Sequence, residues 1–192
     1  MTGERIAQII LASASPRRKA LLEQIGIDCD VVVSDINESP KQGESAGEFV
    51  ERMAIEKARA VSSELLPVLA ADTVVVNDSL IMGKPKDKED AITMLQGLQG
   101  RQHEVLTAVA ICWQDKELCL LNQNKVWFKA LTIEQCENYW RTGEPKDKAG
   151  SYAIQGLGAV FIERLEGSYS GVMGLPLFET ARLLEQVGID PL

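Results

Sequence analysis

The chain has 192 residues, 45% hydrophobic and 25% charged, so it can bury a core without covalent staples, and disorder as the main state is excluded. Its 28 acidic and 20 basic residues leave a net charge of -8 with no basic stripe, which excludes a protein built to grip duplex nucleic acid by its phosphates. No apolar run reaches the ~20 residues of a membrane-spanning helix, and the first six residues carry no signal-peptide pattern, so a cytoplasmic protein without a membrane partner is expected.

Ile6 to Ala12 is an apolar run of strand length. It breaks at Ser13-Ala14-Ser15-Pro16, where Ser15 suits an N-cap and Pro16 the first helical position. A helix is predicted over 17–25 with Gly26 as its stop, then a strand over 27–33. Residues 34–45 form a polar loop carrying Glu38. A second helix starts at Ser45, where Glu48 completes a capping box, and should run to about Leu65 before Pro67.

Val68 to Val76 is the strongest strand signal, followed by a turn at 77–79 and a short return over 80–82. Helices are predicted over 87–98 and from the Thr132 cap to Arg141, with two long strands over 103–113 and 117–129 between them. Residues 144–158 read as irregular, 159–165 as a last strand and 176–187 as a last helix. Strands and helices mix without strict alternation, which predicts an α/β fold with a mixed sheet in a single domain over 1–192.

Four cysteines are scattered without a C-x-x-C pair, and the single histidine is His103. That spacing excludes zinc-ribbon and thioredoxin-like chemistry and predicts buried, reduced thiols. A metal, if used, must be held by carboxylates, whose hard oxygens favour Mg²⁺ or Mn²⁺.

Several polar residues break the local rules. Arg17 and Arg18 occupy the first turn of a helix, where the dipole disfavours cations; either an anion binds there or both side chains reach surface carboxylates. Lys57 falls on the apolar face of its helix, four residues from Met53 and from Val61, either snorkelling at the rim or aimed at an anion. Asp72 interrupts an apolar strand, at a desolvation cost of several kcal/mol unless it is paired or coordinated. A salt bridge, metal ligation or base catalysis would each explain it. Lys84, between Gly83 and Pro85, suits a phosphate contact, although the spacing of a Walker A loop is absent. In the stretch 148–156, Gln155 could read a base edge by two hydrogen bonds, and Tyr152 could stack or pack. Together these residues compose a site for a polyphosphate with a divalent metal.

The segments Ser13-Ala14-Ser15-Pro16-Arg17-Arg18, Glu38-Ser39, Glu56-Lys57-Ala58, Ala71-Asp72-Thr73-Val74-Val75, Gly83-Lys84-Pro85 and Gly174-Leu175-Pro176 resemble, in order and over nearly the whole chain, the Maf family of nucleotide pyrophosphatases. Ala14 stands where many members have glycine. The resemblance implies an elongated, two-lobed α/β fold with a central cleft, similar to inosine triphosphate pyrophosphatases. It implies hydrolysis of a nucleoside triphosphate to the monophosphate and pyrophosphate. The stretch 147–156 is similar to the branch acting on dTTP and UTP. By the same resemblance Asp72 matches the general base. Arg17, Thr73 and Gln155 match positions tied to pyrimidine choice. Ser13, Arg18, Glu38, Lys57 and Lys84 match residues around the phosphates and the metal, with Glu38 and Asp72 as its ligands. A homodimer follows from family likeness alone. Two other readings stand beside this one: a nucleotide-binding regulator of septum formation with incidental hydrolysis, and an enzyme removing modified pyrimidine nucleotides.

Overall fold

The computed structural model describes residues 7–61 and 63–191. The elements, in chain order, are β1 (Ile9–Leu11), α1 (Pro16–Gln24), β2 (Cys29–Val31), α2 (Ala46–Ala60), β3 (Val68–Asn77), β4 (Leu80–Met82), α3 (Lys88–Leu98), β5 (Gln102–Trp113), β6 (Lys116–Phe128), α4 (Ile133–Arg141), β7 (Ile162–Glu166), α5 (Tyr169–Met173) and α6 (Leu177–Gln186). Three 3₁₀ turns, at Glu144–Asp147, Ala149–Ser151 and Leu157–Phe161, fill the stretch between α4 and β7.

The strands pair in the order β2-β1-β3-β5-β6-β7, with β4 beside β3. β1 is parallel to both β2 and β3, whereas β3–β4 and β6–β7 are antiparallel, so the expected mixed sheet is present. The apolar run of β3 is explained by its position: its residues are buried almost without alternation, the pattern of a strand covered on both faces.

The chain divides into two compact units. The first comprises 1–72, 107–122 and 174–192, the second 73–106 and 123–173. In the first, Ala12, Ala58, Val61, Val68 and Ala70 form an apolar cluster that places α2 against β1 and β3. In the second, Val75, Leu95, Leu98, Val126, Phe128, Tyr139, Tyr152 and Phe161 pack together, and Phe128 meets Tyr152 edge to face at 4.7 Å between ring centres.

Most predicted elements are found within a few residues of their expected bounds; the Ile6 end of the first strand lies outside the described residues. Five expectations differ from the structure. The helix α2 ends at Ala60 rather than near Leu65, because Ser63 Oγ accepts hydrogen bonds from the backbone of Leu65 and Leu66 and builds a turn there instead. The last strand starts at Ile162 rather than Ala159, because Leu157–Phe161 winds into a 3₁₀ turn. The short helix α5 went unread, since five residues containing a glycine give no periodic signal. Ser15 takes the N-cap position but its side chain makes no capping hydrogen bond. All four cysteines are free as expected, but only Cys136 is buried.

Candidate active site

The first unit assembles a charged cluster from three elements. Asp72 is delivered by β3 and is 7% exposed; Lys57 is delivered by the last turn of α2 and is 8% exposed. Lys57 Nζ donates to Asp72 Oδ1 at 2.7 Å and lies 3.0 Å from Glu38 Oε1, which reaches in from the exposed loop before α2. The lysine therefore does not snorkel. It is buried on the packed face of α2 along with Met53, and its ammonium bridges two carboxylates.

Burial raises the Asp72 carboxyl above its ordinary range, against the opposing pull of Lys57 and Arg18; the Glu38 charge adds a smaller push upward. A carboxylate poised in this way is a stronger base than an exposed aspartate and still has a cation at hand to stabilise its charged form.

Arg18 belongs to the first turn of α1. Its Nε donates to the carbonyl of Gly174 at 2.8 Å and its Nη1 to Ser13 Oγ at 3.1 Å. Ser13 Oγ also accepts from the backbone of Ser15 at 3.2 Å, so one hydroxyl ties the start of α1 to the guanidinium. Burial draws the Arg18 pKa below its ordinary value, and the Asp72 charge partly restores it. Arg17 is half-buried in the same turn.

Ser13, Arg17, Arg18, Glu38, Lys57 and Asp72 thus all belong to the first unit. Thr73, Lys84 and Gln155 belong to the second. Thr73 is half-buried and, following Asp72 on β3, faces the opposite side of the strand. Lys84 and Gln155 are exposed, in the bend after β4 and in a turn before Leu157–Phe161.

Two participants were not given roles by sequence reading. Gly174, whose carbonyl holds Arg18, adopts φ 116°, a left-handed conformation glycine tolerates. The glycine directly before Leu175-Pro176 was its only signal. Arg52 also went unread: it pairs with Glu44 at 2.5 Å and donates to the Ser39 carbonyl at 3.1 Å, anchoring the loop next to Glu38.

Among the described residues no group of three or more His, Cys, Asp or Glu side chains is arranged to hold a metal. Glu38 and Asp72 nevertheless converge on one cationic nitrogen. Two hard carboxylates, with substrate oxygens and water completing the shell, are a donor set that Mg²⁺ accepts, so the residues fit such an ion.

No described helix is long and apolar enough to cross a membrane. A solved structure, that of the Staphylococcus aureus Ham1 protein, aligns with 62% of this chain and 71% of its own at 19% identity and a TM-score of 0.46. Among curated relatives, a protein of Vibrio parahaemolyticus named dTTP/UTP pyrophosphatase is 49% identical, covering 93% of this chain and 96% of its own. One of Alkalilimnicola ehrlichii with the same name is 50% identical over 99% and 98%. A third, from Saccharophagus degradans and again so named, is 46% identical over 95% and 90%. The sequence matches the family described as Maf-like protein over residues 8–187, and with those relatives this places the chain in the Maf-like protein family.

Proposed function

We propose that the chain is a nucleoside triphosphate pyrophosphatase acting on dTTP and UTP, releasing pyrophosphate and the nucleoside monophosphate. The observation that carries the reading is the buried Asp72–Lys57 pair with Glu38 beside it: a base candidate and a second carboxylate, both within 3.0 Å of one lysine nitrogen whose charge suits a phosphate. The names of the relatives at 46–50% identity support the substrate class. The family match spans residues of both units, which supports treating the chain as one pyrophosphatase domain.

In this reading Asp72 removes a proton from water as its oxygen attacks the α-phosphorus, and the α–β anhydride bond breaks towards the pyrophosphate. Arg17, Arg18 and Lys57 offset the charge that gathers on the departing pyrophosphate. Arg18 is already oriented by Ser13 and Gly174, so little reorganisation is needed when phosphate arrives. Glu38 and Asp72 would hold a Mg²⁺ or Mn²⁺, which when bound neutralises triphosphate oxygens. Lys57 would then exchange part of its carboxylate contact for phosphate. The roles of Lys84 at the phosphates and of Thr73 and Gln155 in base choice rest on the resemblance, not on distances.

The test is product analysis. Purified protein with Mg²⁺ or Mn²⁺ is incubated with a panel of ribo- and deoxynucleoside triphosphates and modified pyrimidine analogues. Pyrophosphate with dTMP or UMP, formed faster than from purine nucleotides, supports the reading. Orthophosphate with a diphosphate, or a purine preference, contradicts it.

A further inference from the structure

The second unit contains a polar clamp built around the segment that carries Gln155. The hydroxyl of Tyr139, a buried residue of α4, donates to Glu144 Oε1 at 2.6 Å and accepts from the backbone N–H of Ala153 at 3.1 Å. The Glu144 carboxylate then accepts from Leu157 N at 2.9 Å and Gly158 N at 3.0 Å. One tyrosine and one glutamate thereby hold the backbone on both sides of Ile154-Gln155-Gly156. Just before the segment, Tyr152 OH meets His103 Nε2 at 2.8 Å, with both residues buried.

The packing leaves no slack. A methyl group on Gly156 would collide with the Glu144 carboxylate, and one on Gly158 would stand 2.6 Å from Tyr139 OH and 2.8 Å from the Ala153 carbonyl. The clamped turn is thus fitted to the two side chains that hold it. Burial pushes the Glu144 carboxyl up, but the hydrogen bonds from Tyr139, Gly158 and Leu157 outweigh it and leave it below its ordinary range, charged at neutral pH. Charge-assisted bonds of this kind are the stronger sort. Gln155 itself is exposed at the crest of the turn.

We infer that Tyr139 and Glu144 are positioning residues for substrate choice, fixing the turn so that the Gln155 amide is presented to the nucleobase in one orientation. The inference rests on the proposed role of Gln155 as a base reader. An amide distinguishes bases only when its carbonyl and NH₂ arrive at set positions, so a mobile turn would weaken discrimination without removing the amide.

The readout is the ratio of kcat/KM for dTTP to kcat/KM for dGTP, a quantity that does not depend on the folded fraction of a preparation. Tyr139→Phe, Gln155→Ala and the double variant are compared. The inference predicts that Tyr139→Phe lowers the ratio about tenfold, the equivalent of one lost hydrogen bond, mostly through a higher KM for dTTP. It further predicts that the double variant discriminates no worse than Gln155→Ala alone. Glu144→Gln, which keeps the side-chain volume, gives the same reading if Tyr139→Phe does not fold. An unchanged ratio in Tyr139→Phe and Glu144→Gln, with a lowered one in Gln155→Ala, overturns the clamp and leaves the role of Gln155 standing. Additive losses overturn it too. An unchanged ratio in Gln155→Ala refutes the base-reading role, and the inference falls with it.

Discussion

Lys57 Nζ lies 2.7 Å from Asp72 Oδ1, and each residue explains why the other is tolerated where it is. A lysine on the packed face of α2 and an aspartate in an apolar strand are both costly alone. Paired, they are affordable to the fold, but replacing such a pair by apolar side chains often stabilises a protein. An ion pair retained among apolar neighbours, with Glu38 at 3.0 Å, is better explained by chemistry than by stability.

The pair has a pH consequence. Asp72 has a raised pKa, so it becomes protonated, and loses its power as a base, at a pH above the ordinary aspartate range. In the metal-free protein the Asp72 carboxyl, followed by NMR, should therefore titrate with its midpoint above about pH 4. Lys57→Met removes the main opposing charge and should move that midpoint further up. A midpoint that stays in place or moves to lower pH in the variant would contradict the electrostatic role of Lys57.

Arg18 should not be replaceable by lysine. Its guanidinium uses Nε on the Gly174 carbonyl and Nη1 on Ser13 Oγ, a forked arrangement that a single ammonium cannot copy. Arg18→Lys keeps the charge but should lower kcat/KM by about 10- to 100-fold, corresponding to one or two charge-assisted hydrogen bonds. Steady-state kinetics with dTTP decides it, and a value near wild type would show that charge alone suffices.

How much of this could be read from the sequence varied with how local the signal was. The Ser45/Glu48 capping box and the Thr132 cap of α4 are present as expected, because each depends on residues three apart. Asp72 and Lys57 were singled out because each violated the pattern of its own element. That they meet, and that Glu38 joins them, depends on tertiary packing between elements far apart in sequence. The Tyr139–Glu144 clamp left no such trace. Tyr139 fits an amphipathic helix without conflict, and Glu144 sits in a stretch whose polar composition reads only as a loop. Its function is visible only once Leu157 and Gly158 are folded back onto it.

His103 predicts a stability profile. Burial lowers its pKa from 6.5 to about 4, so the folded protein keeps it neutral where the unfolded chain is protonated. Below about pH 6.5 the unfolded state binds more protons, so stability falls as pH falls, by about 2 kcal/mol from this residue between pH 7 and pH 5. Urea unfolding at those two values, compared with His103→Gln, should show the variant losing less. Parallel losses would contradict the assignment.

Gly150 predicts a packing cost. It adopts φ 64°, and a methyl group there would stand 2.7 Å from Val75 Cγ2 and 2.9 Å from Val75 Cβ. Gly150→Ala combines an unfavourable backbone with overpacking and should destabilise by about 2–4 kcal/mol. Chemical denaturation measures it, and a change below 1 kcal/mol, within the usual range for surface sites, would mean that this turn relaxes freely.

The most direct test of the catalytic reading is to measure dTTP turnover and dTTP binding side by side in the wild type and in Asp72→Asn. The substitution preserves shape and removes the base. Turnover should fall at least about 100-fold, the scale of a lost general base, while the dissociation constant for dTTP changes only a few-fold. Near-normal turnover in Asp72→Asn would contradict the account and leave the charged cluster as a binding site whose chemistry, if any, is done elsewhere.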